Sequence, residues 1–185
     1  MSGAAELNRI LDKLTDIRIL CVGDIMLDRF IYGSVARISP EAPIPIFTAE
    51  REERMLGGAG NVVRNLLSLG ASASFAAVVG DDAVVTQLTT LVGAESRVVP
   101  YLMTERGRVS TKKTRYVAAS QQLLRSDSET KAPIKEETAT KILELMVPEL
   151  ANHDAVILSD YGKGVLTPTM CRSIIDAAKA KSIPV

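Results

Sequence analysis

Apolar runs of strand length alternate with amphipathic segments along most of the 185-residue chain. The runs at 17–23, 73–79 and 154–160 are rich in apolar and β-branched residues, and a carboxylate closes or follows each of them, which is typical of buried strands. Between them, apolar residues recur at helical spacing, which predicts helices over about 5–14, 61–69, 83–92, 134–150 and 168–178. The alternation predicts a doubly wound, mostly parallel α/β sheet.

Two stretches, 29–55 and 97–128, do not follow that alternation. The first alternates aromatic and β-branched residues with polar ones, and it is interrupted by Pro40, Pro43 and Pro45. The second has strand-like segments around a polar turn at 105–108. We expect both to form irregular strands outside the main sheet, as a small β lid. The first lid segment would have an apolar face that needs a partner to cover it, formed by Ile44, Ile46 and Phe47.

The last four residues, 182–185, have the pattern of a further strand that begins after the final helix. A strand interrupted at its start leaves an edge and an apolar face uncovered. We therefore expect residues 1–185 to form the N-terminal part of one longer α/β domain, with the two lid segments inserted in it.

Composition argues against several classes of function. Basic and acidic residues number 22 each, so no net charge favours nucleic acid or an anionic membrane surface as a partner. The apolar runs are too short to span a bilayer, and the first residues lack the basic and apolar regions of a signal peptide. Cys21 and Cys171 lie in apolar sequence without metal-ligand spacing, so we expect reduced, buried thiols in a cytoplasmic protein.

Candidate ligand-binding residues occur after the first strand and at the start of the second helix. Asp24 and Asp28 follow the first strand, at the edge where open α/β sheets bind ligands, although either can also be a turn or N-cap residue. The glycine-rich stretch 57–61 leads into a helix, where backbone N–H groups can approach a polar ligand closely. A tight loop that serves packing alone is the alternative for this stretch.

Basic residues are concentrated in the second lid segment, at Lys112, Lys113, Arg115 and Arg125. They form either a solvated face or a site where one or two of them contact a phosphate. The single histidine, His153, has no serine–acid or metal-ligand constellation near it in the sequence, so we expect a structural role for it.

Three motifs in this order resemble those of the ribokinase-like (PfkB) carbohydrate kinases: 23–28 (GDIMLD), 57–61 (GGAGN) and 159–164 (SDYGKG). Two intervening segments, 37–45 (RISPEAPIP) and 121–125 (QQLLR), narrow the resemblance to the D-glycero-β-D-manno-heptose-7-phosphate kinase domains of ADP-heptose synthesis. The resemblance covers about residues 15–185. Each motif alone is weak evidence, but five ordered segments at compatible spacing are specific.

The resemblance implies a set of substrate-binding residues. Carried over by motif, they are Asp24, Asp28, Gly57, Gly58, Asn61, Arg115, Asp160, Tyr161 and Lys163. Asp28 and Asn61 would bind sugar hydroxyls beside the two glycines, with Asp24 assisting. Lys163 and Arg115 would contact the substrate's phosphate, and the remaining two side chains would shape the same pocket.

The resemblance also implies the reaction, which is ATP-dependent and Mg²⁺-assisted phosphorylation of heptose 7-phosphate at O1 in synthesis of the lipopolysaccharide core. In the family, the β lid closes over the sugar and excludes water from phosphoryl transfer. The lid also pairs two subunits across an apolar β surface, which implies a homodimer.

The family's general base is an aspartate in a Gly-Ala-Gly-Asp motif at a helix N-terminus. No Gly-x-Gly-Asp segment occurs here, so we expect no catalytic residue in this chain, a base beyond Val185 and no activity of residues 1–185 alone. The alternatives are a non-catalytic module that binds a sugar phosphate or mediates dimerisation, and a PfkB kinase for another sugar. A Rossmann nucleotide-binding protein is disfavoured, because no Gly-x-Gly-x-x-Gly follows the first strand.

Overall fold

The computed structural model describes residues 3–185, apart from the side chains of residues 4, 5, 7, 9 and 10. In chain order the helices and strands are α1 (Gly3–Lys13), β1 (Arg18–Gly23), β2 (Ile25–Ile38), β3 (Pro45–Gly58), α2 (Ala59–Ser68), β4 (Ser72–Val79), α3 (Val84–Gly93), β5 (Val98–Thr104), β6 (Lys112–Ala118), β7 (Gln121–Ser128), α4 (Glu136–Glu149), β8 (Ala155–Ser159) and α5 (Pro168–Ala180). The five predicted helices are confirmed. The side chains of Leu7 and Ile10, two of the apolar residues at helical spacing in the first of them, lie outside the described ones.

Four strands form the predicted parallel sheet, in the order β5-β4-β1-β8. Each neighbouring pair is parallel, and Ile19 on β1 lies opposite both Ala73 on β4 and Ala155 on β8. The helix α5 begins as the sequence indicates, with Pro168 in its first position and the Thr167 hydroxyl accepting the N–H of Met170 at 3.2 Å. The doubly wound α/β class is therefore confirmed.

Helices cover both faces of the parallel sheet. On one face, Leu20 and Val22 of β1 pack with buried side chains of α4 and α5. On the opposite face, Cys21 packs with Phe75 of β4 and with buried side chains of α2 and α3. Successive strand residues point to opposite faces, so the continuous apolar run of β1 supplies both cores. Each fully buried Leu or Phe side chain contributes about 1.5–3 kcal/mol by leaving water.

The lid is a second, four-stranded sheet in the order β3-β2-β6-β7. β2 pairs antiparallel with β3 and parallel with β6, and β6 pairs antiparallel with β7. The strands over 29–55 are irregular as expected, since the pairing of β2 with β3 shifts register between Tyr32 and Gly33 and between Val35 and Arg37. They are nevertheless long, with 14 residues in each. Pro40 and Pro43 lie in the turn between them and Pro45 is the first residue of β3, so none of the three removes an N–H from the middle of β2 or β3.

The second expected lid segment, 97–128, is divided between the two sheets. β5 lies at the edge of the parallel sheet, where Val98 is opposite Ala73 and Thr104 is opposite Val79. Only β6 and β7 belong to the lid sheet. β5 can contain Pro100 and partly exposed side chains because it is an edge strand. For the same reason its sequence lacks the continuous apolar run that is typical of a core strand.

The last residues run beside β8 without forming the expected strand. The N–H of Val156 donates to the carbonyl of Pro184 at 2.9 Å, which is a single backbone contact to that edge.

The buried ring of His153 has Nδ1 2.7 Å from the carbonyl oxygen of Glu149 and Nε2 2.9 Å from Oγ of Ser74. These contacts join α4 to β4 and agree with a structural role for the histidine.

The two cysteines differ in their surroundings. Cys21 is fully buried, and burial raises the pKa of its thiol to about 12. Cys171 on α5 is only half-buried, which corrects the expectation that both thiols are buried. Burial, and then the charge of Asp160, raise the pKa of Cys171 above its usual value. In the part of the chain that the structure describes, no helix has the length and hydropathy needed to cross a bilayer.

Candidate substrate-binding site

The two sheets meet where β1 ends. Asp24 alone separates β1 of the parallel sheet from β2 of the lid sheet, and α2 begins directly after β3 returns to this point. The N–H of Ala59 donates to the carbonyl of Asp24 at 2.9 Å, and Gly58 has a φ of +57°, which favours glycine. The glycine-rich stretch 57–61 is therefore a strand end joined to the first turn of a helix, and not a loop.

Asp24 anchors the loop that follows β8. Its side chain is 1% exposed; Oδ2 accepts the N–H groups of Tyr161 at 2.8 Å and Lys163 at 3.1 Å, and Oδ1 accepts that of Val165 at 3.2 Å. Three N–H donors compensate the desolvation of a buried carboxylate. We expected Asp24 to assist in binding the sugar, but its oxygens are buried and already bonded. It positions the loop that carries other candidate residues.

Asp28 and Arg115 form an ion pair on the lid sheet. Nη1 of Arg115 donates to Oδ1 of Asp28 at 2.5 Å, and both side chains are 20% exposed. The guanidinium also lies 5.0 Å from the ring centroid of Phe30. The carboxylate extends over Gly57, where any Cβ would overlap with it. Three of the predicted site residues are thus in contact, and Asn61 is exposed in the first turn of the adjoining helix.

The loop after β8 carries three further candidates. Asp160 is exposed, and its Oδ1 accepts the N–H of Gly162 at 2.8 Å in a tight turn. The ring of Tyr161 is exposed. Lys163 is mostly buried instead, with Nζ 2.9 Å from Oε2 of Glu129. Asp160 and Tyr161 are therefore accessible, whereas Lys163 has an internal anionic partner.

Glu129 is a residue of this site that the sequence analysis missed. It directly follows β7, and its Oε2 lies 2.9 Å from Nζ of Lys163 and 3.7 Å from Nζ of Lys113, while Oε1 lies 3.3 Å from Nζ of Lys131. The ammonium group of Lys163 beside the carboxylate holds the pKa of Glu129 below its usual range. Lys113 also pairs with Asp127 at 3.1 Å. A glutamate in a polar segment carries no local signal of these non-local contacts.

Arg108 and Glu105 hold the loops around the site together, and sequence reasoning placed both in an ordinary polar turn. Both are buried. The Arg108 guanidinium donates to the carbonyl of Ala132 at 2.9 and 3.0 Å and to that of Lys163 at 2.6 Å. Glu105 pairs with Arg108 at 3.4 Å and accepts the N–H of Lys135 at 2.8 Å. These contacts join the loops after β5, β7 and β8.

ATP and Mg²⁺ are the ligands that the resemblance implies besides the sugar. Among the side chains that the structure describes, no group of three or more His, Cys, Asp or Glu residues could hold a metal ion. No catalytic step through either group is derived from these residues.

Sequence comparison identifies relatives of the chain, although no family model matches it. The bifunctional protein HldE of Paramagnetospirillum magneticum is 48% identical over 180 residues, a match that covers 97% of this chain and 37% of that protein. The HldE protein of Acidiphilium cryptum is 49% identical over 167 residues, covering 90% of this chain and 34% of that protein. The chain spans a little over a third of the length of these curated relatives.

Solved structures share the fold at low sequence identity. A carbohydrate kinase from Agrobacterium tumefaciens is 18% identical with a TM-score of 0.65, over 91% of this chain and 52% of that chain. Phosphofructokinase-2 from Escherichia coli, in complex with fructose-6-phosphate, is 19% identical with a TM-score of 0.65, over 91% of this chain and 54% of that one. The fold is that of the ribokinase-like (PfkB) carbohydrate kinases. Within that class, the chain is a homologue of the HldE proteins over the stretch it shares with them, which confirms the resemblance seen in the sequence.

Proposed function

We propose that this chain is the sugar-binding and lid part of an ATP-dependent carbohydrate kinase that acts on D-glycero-β-D-manno-heptose 7-phosphate. The observation that carries the proposal is the Asp28 carboxylate, which Arg115 holds in place over Gly57 where the two sheets meet. A carboxylate with a defined orientation accepts hydrogen bonds from sugar hydroxyls, each contributing about 1.5–3 kcal/mol. The kinship with HldE proteins and the fold shared with a fructose-6-phosphate complex support this assignment.

The other candidate residues complete a site for a phosphorylated sugar. Asn61 exposes an amide that can donate to one hydroxyl and accept from another. Lys163 and Arg115 supply cations for the phosphate, and Asp160 and Tyr161 are exposed in the loop after β8. In this arrangement Asp24 orients the loop from below and makes no contact with the sugar.

The roles we assign to this chain are substrate binding and exclusion of water. Transfer of the γ-phosphoryl group of ATP to O1 also needs a general base and a Mg²⁺–ATP site. The family's Gly-Ala-Gly-Asp motif, which supplies that base, does not occur in this sequence. Kinase activity is therefore proposed for the whole protein to which this stretch corresponds. A lid sheet directly above the sugar would shield the reacting phosphoryl group from water.

An apolar face of the lid supports a proposal of homodimerisation. Large hydrophobic side chains are exposed on this sheet and its hairpin turn at Val35, Ile38, Ile44, Leu123 and Leu124. Exposed apolar clusters of this kind mark interaction surfaces. A second copy of the chain would cover them. Phe47 was also expected on this apolar face. Its ring packs edge-on against that of Tyr116 within the sheet, with 5.5 Å between the ring centroids.

Calorimetric titration of the 185-residue chain tests the proposed substrate. We expect heptose 7-phosphate to bind more tightly than fructose 6-phosphate, and ribose to bind most weakly, with at least about tenfold loss for Asp28→Asn. Comparable affinity for all three sugars would refute the heptose assignment. With ATP and Mg²⁺ present we expect no turnover, and appreciable turnover would show that the chain does more than bind substrate.

A non-catalytic sugar-phosphate-binding module is the second candidate, since the Asp28 carboxylate held by Arg115 over Gly57 suits sugar binding whether or not phosphoryl transfer follows. The two functions differ in a kinase assay of the longer protein. Phosphorylation at O1 by that protein supports the kinase. Tight binding of the sugar phosphate without phosphorylation supports the binding module.

A further inference from the structure

The Glu129 carboxylate occupies the space between three lysines at the border of the lid. Its Oε2 contacts Nζ of Lys163 at 2.9 Å and lies 3.7 Å from Nζ of Lys113, and Oε1 is 3.3 Å from Nζ of Lys131. Lys163 comes from the loop after β8, and Lys113 comes from β6 of the lid sheet. One carboxylate thus neutralises cations from two separate parts of the fold.

Two of the lysines around Glu129 are largely buried and therefore need an anion beside them. The side chains of Glu129 and Lys163 are both 13% exposed, and the side chain of Lys113 is 15% exposed. A mostly buried ammonium group is costly unless an anion compensates it. A carboxylate and a phosphate offer a lysine the same kind of oxygen acceptor, so either can fill this role.

Glu129 has a second cation available if it leaves Lys163. Lys131 is 70% exposed and already lies next to the other carboxylate oxygen. Lys113 likewise keeps Asp127 as a partner at 3.1 Å. The carboxylate can therefore turn toward solvent and Lys131 without becoming an unpaired buried charge.

We propose that Glu129 is an internal anion that holds Lys163 and Lys113 until the substrate's phosphate displaces it. Glu129 is then a specificity-determining residue, because only an anionic sugar can replace its charge between the two lysines. A neutral sugar leaves the carboxylate in place. The inference rests on the proposed function, which assigns Lys163 to the phosphate.

Displacement would also change how the lid is attached. Glu129 directly follows β7, whereas Lys163 lies beyond β8, so their ion pair links the lid sheet to the parallel sheet. When a phosphate binds Lys163 in place of Glu129, the bound substrate, and no longer the ion pair, connects the two sheets at this point. Phosphate binding and the lid's attachment to the core are therefore coupled at one residue.

Calorimetry with inorganic phosphate tests the proposal without any sugar. Glu129→Gln removes the competing charge while keeping the shape of the side chain, so we expect phosphate affinity to rise about tenfold, the worth of one charged hydrogen bond. The matched control is Glu137→Gln, which removes an equal charge from an exposed helical pair with Lys141 and should leave phosphate affinity unchanged. Affinity for neutral ribose should also stay unchanged in Glu129→Gln.

Two further variants keep the test decisive if Glu129→Gln unfolds. Glu129→Asp retains the charge and should bind phosphate within about threefold of the wild type. When Lys163→Gln is added to Glu129→Gln, the expected rise in phosphate affinity should disappear. Equal or weaker phosphate binding by a folded Glu129→Gln protein, or phosphate binding by no variant, would overturn the proposal. If sugar phosphates bind no better than inorganic phosphate, the proposed function fails while the phosphate comparison still decides the role of Glu129.

Discussion

Arg115 and Asp28, 87 positions apart in the chain, form an ion pair at 2.5 Å between neighbouring parallel strands of the lid sheet. Arg115 is in register with Phe30 and reaches diagonally to Asp28. The pair orients the carboxylate that we assign to the sugar. It also means that a residue expected to bind the phosphate is already engaged in positioning another candidate.

A double-mutant cycle should measure this relationship. We expect Asp28→Asn and Arg115→Gln each to lower the free energy of unfolding, with a coupling energy of about 1 kcal/mol, because the pair is largely shielded from water. Urea unfolding of the two single variants and the double variant provides the values. Effects that add within about 0.3–0.5 kcal/mol would show that the two residues do not interact energetically.

Asp24→Asn should destabilise the protein by about 2–3 kcal/mol. The amide keeps one acceptor but presents an NH₂ group to backbone N–H donors, so part of the three-bond anchor is lost inside the core. The same substitution at the exposed Asp160 is the matched control and should cost far less. Chemical denaturation compares them, and equal losses would contradict the anchoring role.

Gly57→Ala should weaken sugar binding and lower stability by about 1 kcal/mol, the cost of moving the Asp28 carboxylate away from its ion-pair partner. The new methyl group would overlap with the Asp28 carboxylate, which must move away from Arg115 to accommodate it. Gly93→Ala at the end of α3 is the control, since nothing lies within 4 Å of its Cβ. That control should be neutral or stabilising by about 0.5–1 kcal/mol. Similar stability of the two variants in thermal unfolding would argue against the steric explanation.

Acid should weaken the lid hairpin through Glu52 on β3. The hydrogen bond from Arg29 lowers the pKa of Glu52 to about 2, from 4.5 in the unfolded chain. A lowered pKa in the folded state means that this stabilisation is present above pH 4.5 and is lost as pH falls toward 2. Its side chain is 27% exposed, so solvent screening reduces the contribution to on the order of 1 kcal/mol.

Unfolding free energies measured between pH 7 and pH 2.5 check this contribution. Glu52→Gln should lose less stability than the wild type over the acidic part of that range. If the free energy of unfolding falls by the same amount in the wild type and the variant as the pH is lowered, other carboxylates cause the acid sensitivity.

The two thiols should react at very different rates. Cys21 is buried with a pKa of about 12, whereas Cys171 is half-buried on α5. Because the thiolate is the reactive form, iodoacetamide should label Cys171 in the native protein and Cys21 only after unfolding. Peptide mass spectrometry after brief labelling distinguishes them. Equal labelling of both cysteines under native conditions would contradict the packing of β1.

Local patterns were sufficient for the helices and for the strands that lie inside the parallel sheet. Helical spacing of apolar residues and continuous apolar runs report burial directly, because burial on one face or on both faces sets those periods. The same patterns failed for β5. An edge strand buries less of its surface, so its sequence resembles that of the lid strands although it pairs with β4.

The sequence by itself determined the α/β class, the order of its elements and the kinase resemblance, because these depend on local burial periods and ordered motifs. Only the tertiary structure decided which candidates contact one another. It placed Asp24 beneath a loop, Asp28 against Arg115, and Glu129 between a lysine of the lid sheet and a lysine of the loop after β8. Such ion pairs join residues distant in the chain, and a polar side chain shows the same local pattern whether its partner is water or a buried charge.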